Sequence, residues 1–350
     1  MSPEALPSPA QSALLDRFES IRDLLRELPT AAQLDLNVGD VSVRVVFGSD
    51  ALRARIAPAL SHLASAEFSG DGLEVRVLEF VPHLRADYFA PDDAAAAGEN
   101  DIWMDEAGGR TMIAQRRGQE VSVIDWGRRE AYCLMPSADT LSYLESAHPL
   151  QQLLTYCLGR RNLFLVHAAA VGTEPGGVLL LGPGGAGKST TALLCLEDGM
   201  RYAADDHCLV GCKDGPRVHS LYATGKLAFP ELNGFGQLGA ACDAASRPEG
   251  DKGVLLLERL PGLPLAREME LKALVLPRIT RRTHSVVVPA SKAEAFRAIV
   301  PSCALHLPTE RQAALACYQK LVAQLPAFVL ELGTELRSTP RVLRELLETL

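Results

Sequence analysis

One run constrains this chain more than any other: Gly182-Pro-Gly-Gly-Ala-Gly-Lys-Ser-Thr190. It fits the phosphate-loop pattern G-x-x-x-x-G-K-[ST], in which glycines let successive backbone N–H groups turn toward phosphate oxygens. Gly182, Gly184, Gly185, Ala186 and Gly187 form the cradle, with Ser189 and Thr190 following it. Lys188 is expected to reach the β- and γ-phosphates, and the Ser189 hydroxyl to complete a Mg²⁺ shell. Gly177–Leu181 before the run reads as a buried strand, and Thr190–Glu197 after it as a helix. The loop therefore feeds a helix N-terminus, where anions bind well. It leaves open what happens to the phosphate.

The residues just downstream narrow that. Asp198-Gly199 closes the helix, Met200–Ala204 reads as a short strand, and Asp205-Asp206 follow, 18 residues after Lys188. One right-handed βαβ unit of this length ends both strands at the same sheet edge, which sets the carboxylates beside the loop. One aspartate can hold Mg²⁺ and the other can take a proton from an attacking hydroxyl. An acidic turn or helix cap is the plainer reading of the pair. His167 lies in an apolar run from Leu163 to Val171, 15 residues before Gly182. It reaches the aspartates only if the strands lie side by side.

Taken jointly, Val166-His-Ala-Ala-Ala-Val171, Gly177–Gly182, Gly187-Lys-Ser-Thr-Thr-Ala-Leu-Leu194 and Asp198–Asp206 resemble the kinase core of HPr kinase/phosphorylase. The likeness covers about 45 residues, 166 to 210. It implies an α/β phosphate-loop kinase domain of the HPr kinase/phosphoenolpyruvate carboxykinase type and ATP- and Mg²⁺-dependent transfer to a protein serine. It further implies Lys188 on phosphate, Ser189 on Mg²⁺, Asp205 and Asp206 as base and metal contact, and His167 hydrogen-bonded beside them. The chain departs from that family at Thr190, where a glutamate is expected, and it lacks the downstream glutamate- and glycine-rich signature. Val218–Leu227, Asp251–Leu257, Ala273–Arg278 and Val322–Gly333 are similar instead to divergent serine kinases of peptide-modification gene clusters. Lys226, Lys252 and Arg278, each in a turn or beside an apolar strand, are candidates to touch nucleotide or acceptor; solvated strand ends are the plain alternative.

Around this core the pattern divides the chain at about residue 150. Residues 1–150 read as a smaller α+β domain with a role in recruiting substrate, and 151–350 as the nucleotide-binding domain. Leu14, Phe18, Ile21, Leu25 and Leu28 predict an amphipathic helix over Ala13–Leu28. Strands are expected at Val41–Val45, Leu73–Phe80, Ile102–Met104, Thr111–Gln115 and Val121–Trp126. A helix is expected over Asp50–Ala66, broken or kinked at Pro58, and a loop over Pro82–Glu99. Helices are predicted at Pro149–Cys157, Ser291–Ala298, Glu310–Gln324 and Pro340–Leu350, and strands at Gly253–Leu257, Leu271–Leu276, Ser285–Val288 and Ala327–Glu331.

A net charge of -8 gives no reason to expect nucleic acid or an anionic membrane as partner. The start of the chain lacks signal-peptide character, and no apolar stretch reaches ~18 residues, so a cytoplasmic protein is expected. The eight cysteines are scattered without a C-x-x-C, and Cys208 and Cys212, with His207 and His219 near them, fit no zinc spacing. The expected partner is a protein, a peptide or a small hydroxylated acceptor, and a homo-oligomer is compatible with the sequence. Two alternatives stand beside a serine kinase. One is a small-molecule or carboxykinase-like phosphotransferase; the other is a nucleotide-binding regulatory module without transfer.

Overall fold

The computed structural model describes residues 19, 22–23, 25–80, 102–115, 120–174, 176–228, 235–240, 252–306 and 310–350. Most of the expected Ala13–Leu28 helix and all of the Pro82–Glu99 loop lie outside them. The described chain is mixed α/β with three sheets.

Strands β1 (Ala32–Val38), β2 (Val41–Phe47), β3 (Leu73–Glu79), β4 (Ile102–Ala107), β5 (Arg110–Gln115), β6 (Glu120–Asp125) and β7 (Glu130–Met135) form the first, in the order β1-β2-β3-β7-β6-β5-β4. Helix α1 (Asp50–Leu60) crosses from β2 to its parallel neighbour β3. Ser49 caps it, its hydroxyl accepting from the Leu52 amide at 3.2 Å. The helix runs through Pro58 and tightens into a 3-10 turn at Ser61–Leu63, so it ends earlier than the apolar pattern predicts. β5, β6 and β7 form an antiparallel meander. Neither β1 nor β7 is among the strands expected from sequence.

Helices α2 (Tyr143–Ala147) and α3 (Gln151–Gly159) lead to the second sheet. It contains β8 (Phe164–Val166), β9 (Ala168–Gly172), β10 (Gly177–Leu181), β11 (Arg201–Ala204), β12 (Cys208–Gly211), β13 (Arg217–His219), β16 (Glu268–Ile279), β17 (Val286–Pro289) and β18 (Ala327–Leu332). The order is β11-β9-β10-β16-β13-β12-β8, with β18 pairing β16 and β17. β14 (Thr224–Ala228) and β15 (Lys252–Leu256) form a separate antiparallel ribbon.

Alternation along β9 and β10 divides their side chains between two cores. Ala168, Ala170, Leu179 and Leu181 pack with the helices at Lys292–Ile299 and Arg311–Gln324. Ala169, Val171, Val178 and Leu180 pack with helix α4 (Lys188–Glu197) and with the helix at Thr339–Glu348. A third core joins the first sheet to the second: Val43, Val45, Phe47 and Ile56 cluster with Leu165, Leu209, Leu221 and Tyr222. The Ala223 amide donates to the Ala59 carbonyl at 2.8 Å across the same contact. The described cysteines are free thiols, most of them core residues. No helix among the described residues is long and apolar enough to cross a membrane.

Candidate active site

The glycine-rich loop joins β10 to α4. Gly185 (φ +79°) and Gly187 (φ +97°) take backbone conformations that L side chains rarely adopt. At Gly187 an added Cβ would also come within 2.5 Å of Leu332 Cδ1. At Gly184 and Gly185 it would meet nothing within 4 Å, so the outer rim of the loop faces open space. Ala186 closes the turn, its amide donating to the Pro183 carbonyl at 3.3 Å. Lys188 is buried, and its Nζ folds back to donate to the carbonyls of Gly182 (2.7 Å) and Pro183 (3.1 Å). No side chain caps the N-terminus of α4, which begins at Lys188 and carries Ser189 and Thr190 in its first turn.

Register places the other groups at the same edge. β9 lies between β10 and β11 and is antiparallel to both, with Leu181 opposite Ala168 and Ala204 opposite Ala170. β10 and β11 are therefore parallel but not adjacent, and both end where β9 begins. Gly182, Asp205 and His167 are the residues that immediately follow or precede these three ends. The apolar run Leu163–Val171 predicts a near-continuous strand; it is broken at His167, because its two halves take different partners. Val166 pairs with Cys208 in β12, and Ala168 with Leu181 in β10. The His167 amide donates to Ser302 Oγ at 3.1 Å, and its side chain stays 39% exposed.

Asp205 is almost wholly buried. Its Oδ2 accepts from the Lys226 amide at 2.9 Å, while Oδ1 has no hydrogen-bond partner. Burial, with the Asp206 charge beside it, pushes this carboxyl up to about 6, against the Ser189 hydroxyl and the Lys226 amide, which pull it down. A buried carboxylate oxygen left unpaired beside the loop serine fits a metal ion or a metal-bound water.

Asp206 has φ +67°, in the left-handed region. Its Oδ1 lies 3.1 Å from His167 Nε2, and its Oδ2 accepts from Lys226 Nζ at 2.6 Å. Burial opposes ionisation here, but the His167 hydrogen bond and the neighbouring His207, Lys226 and His148 outweigh it and hold the carboxyl below the usual carboxylate range. His207 Nδ1 and His148 Nε2 stand 3.5 and 3.8 Å from Oδ2. Burial lowers both imidazoles, His207 to about 4 and His148 well below its ordinary value.

His148 and His207 are the residues that sequence reasoning misses. Adjacency to Asp206 is the one available signal for His207. His148 carries none, since it lies 58 positions before Asp206 and follows the short helix α2. Tyr222 and Thr224 hold that segment in place: the Tyr222 hydroxyl donates to the Pro149 carbonyl at 3.0 Å, and Thr224 Oγ1 to that of Ala147 at 3.3 Å.

Of the three basic candidates, Lys226 is brought to both aspartates. Lys252 enters through its backbone, paired with Ala228 in the ribbon. Arg278 lies on β16 beyond the Leu180–Val275 register point, at the edge where the loop emerges. Its side chain is exposed, with Glu294 at 3.8 Å. Farther along the same segment, Arg282 is exposed and paired to Glu331 at 2.8 Å. A cavity of about 370 Å³ lies on the far side of Lys226 and His148 and is lined by these two with Ile56, Glu120, Glu145 and Leu150, among others.

No family model matches this sequence, and no curated protein does. Among solved structures, the Hpr(Ser) kinase/phosphatase from Coxiella burnetii is similar at 10% sequence identity, over 53% of this chain and 97% of that one, with a TM-score of 0.32.

Proposed function

We propose that this chain is an ATP- and Mg²⁺-dependent kinase that transfers the γ-phosphoryl group to a hydroxyl. The carrying observation is the convergence of the Gly182–Lys188 loop, the Asp205-Asp206 pair and His167 at one sheet edge. In this reading Lys188 leaves its two loop carbonyls to meet phosphate oxygens. Ser189 and Asp205 would hold Mg²⁺, whose contribution there would be charge neutralisation. The acceptor oxygen bonds to the γ-phosphorus, the bond to the β–γ bridging oxygen breaks, and ADP leaves. The hydroxyl proton passes to the Asp206–His167 pair, in which the carboxylate orients the ring. Catalysis is then mostly positioning and charge neutralisation.

The motif resemblance over 166–210 favours a protein or peptide serine as acceptor, with residues 1–150 helping to recruit it. One observation favours the small-molecule reading. The cavity beside Lys226 and His148 has the volume of a small-ligand site, and among the described residues Glu120 and Glu145 line it, carboxyls suited to a small cationic acceptor.

Transfer of label from γ-labelled ATP, to serine peptides and to a panel of small hydroxylated amines, tests both readings. Lys188→Ala is expected to lower transfer by about 10³-fold with the fold intact by circular dichroism. Full transfer by that variant, or nucleotide binding without transfer to any acceptor class, would sink the kinase reading and leave the regulatory module.

A further inference from the structure

We propose that His148, Asp206 and His207 form a binding site for a first-row transition-metal dication, separate from the Mg²⁺ position between Ser189 and Asp205. One ligand atom from each of the three residues lies within 4.8 Å of the other two. Asp206 Oδ2 is 3.5 Å from His207 Nδ1 and 3.8 Å from His148 Nε2. Atoms sharing a tetrahedral metal at bonds of about 2.0–2.2 Å sit about 3.3 Å apart. Small side-chain rotations close that gap.

Two further observations point to an occupant. His148 Nε2 and His207 Nδ1 are both buried ring nitrogens without a hydrogen-bond partner, and His148 is only 8% exposed. Buried polar atoms ordinarily find partners, and here two from distant parts of the chain aim at the same carboxylate oxygen. Both rings are also packed in place. Their centroids are 4.6 Å apart in an edge-on contact, and Tyr222 backs His148 at 5.2 Å.

The donor set decides the class of metal. Two imidazole nitrogens and one carboxylate suit Zn²⁺, Co²⁺ or Ni²⁺; Mg²⁺ prefers oxygen throughout. Lys226 is the competitor, since its Nζ holds the same Oδ2 at 2.6 Å. The ammonium and the dication exclude each other, so metal entry requires Lys226 to swing away. This site does not depend on the phosphotransfer reading.

The test uses the full chain, stripped of metal and free of nucleotide, titrated with Co²⁺ by visible absorption and with Zn²⁺ by calorimetry. One equivalent is expected to bind. His148→Ala and His207→Asn are each expected to weaken binding by at least about 10-fold, with circular dichroism monitoring the fold. Lys226→Met is expected to tighten it, and Lys188→Ala to leave it unchanged while removing transfer. Three results would overturn the proposal: no Co²⁺ absorption in the wild type, undiminished binding in whichever histidine variant folds, or a thiolate charge-transfer band assigning the metal to cysteine.

Discussion

Asp205 and Asp206 are neighbours in sequence and opposites in surroundings. The Asp205 side is buried: a loop serine, a backbone amide and an unpaired oxygen, with burial and then the Asp206 charge raising its proton affinity. The Asp206 side is crowded with basic groups, and there the same carboxyl is held ionised. Asp206 takes its place with a left-handed backbone, a conformation that Asp adopts more readily than most residues. Proximity in sequence says where two acids go; their neighbours decide which one holds its proton.

The most severe way to break this comparison is to neutralise one side at a time. Asp206→Asn should lower phosphoryl transfer by about 10³-fold at saturating Mg²⁺, within the range for a lost proton acceptor. Asp205→Asn should instead raise the Mg²⁺ concentration needed for half-maximal transfer. If the two variants respond identically to Mg²⁺, the division of roles is wrong.

A smaller effect should appear in stability against pH. Asp205 has a folded value of about 6 against an ordinary 3.8, so its contribution is whole below about pH 4 and is lost as pH rises through 6. His207 runs the other way: at about 4 against 6.5, its contribution is whole above about pH 6.5 and is lost as pH falls toward 4. Removing the first should uncover the second. From pH 4 to pH 7, Asp205→Asn should gain on the wild type by on the order of 3 kcal/mol in chemical denaturation. Parallel profiles would show that Asp205 is not the buried, proton-holding member.

The mildest test touches neither aspartate. Ser302→Ala removes the acceptor of the His167 amide and should cost about 1 kcal/mol of stability. It should lower transfer only a few-fold by loosening the ring beside Asp206. No change in either quantity would mean that the break between β8 and β9 is held by strand pairing alone.

What could be read from the sequence follows the same line. The loop, the helix after it and the aspartates at the next strand end are local features, and their order alone sets them on one edge. The position of His167 was legible only conditionally, because an apolar run such as Leu163–Val171 looks the same whether it pairs as one strand or two. β7 shows the same limit: Ala131–Met135 is buried throughout and carries no alternation to mark it as a strand. His148 was illegible, because its approach to Asp206 depends on packing of α2 and Pro149 against β14, which no local spacing encodes.

The strand order has one more consequence. Because β9 separates β10 from β11, the loop and the aspartate pair hang from strands about 10 Å apart, twice the spacing of neighbours in a sheet. The intervening strand acts as a ruler. His167 stands at the start of that middle strand, between the loop and the aspartate pair.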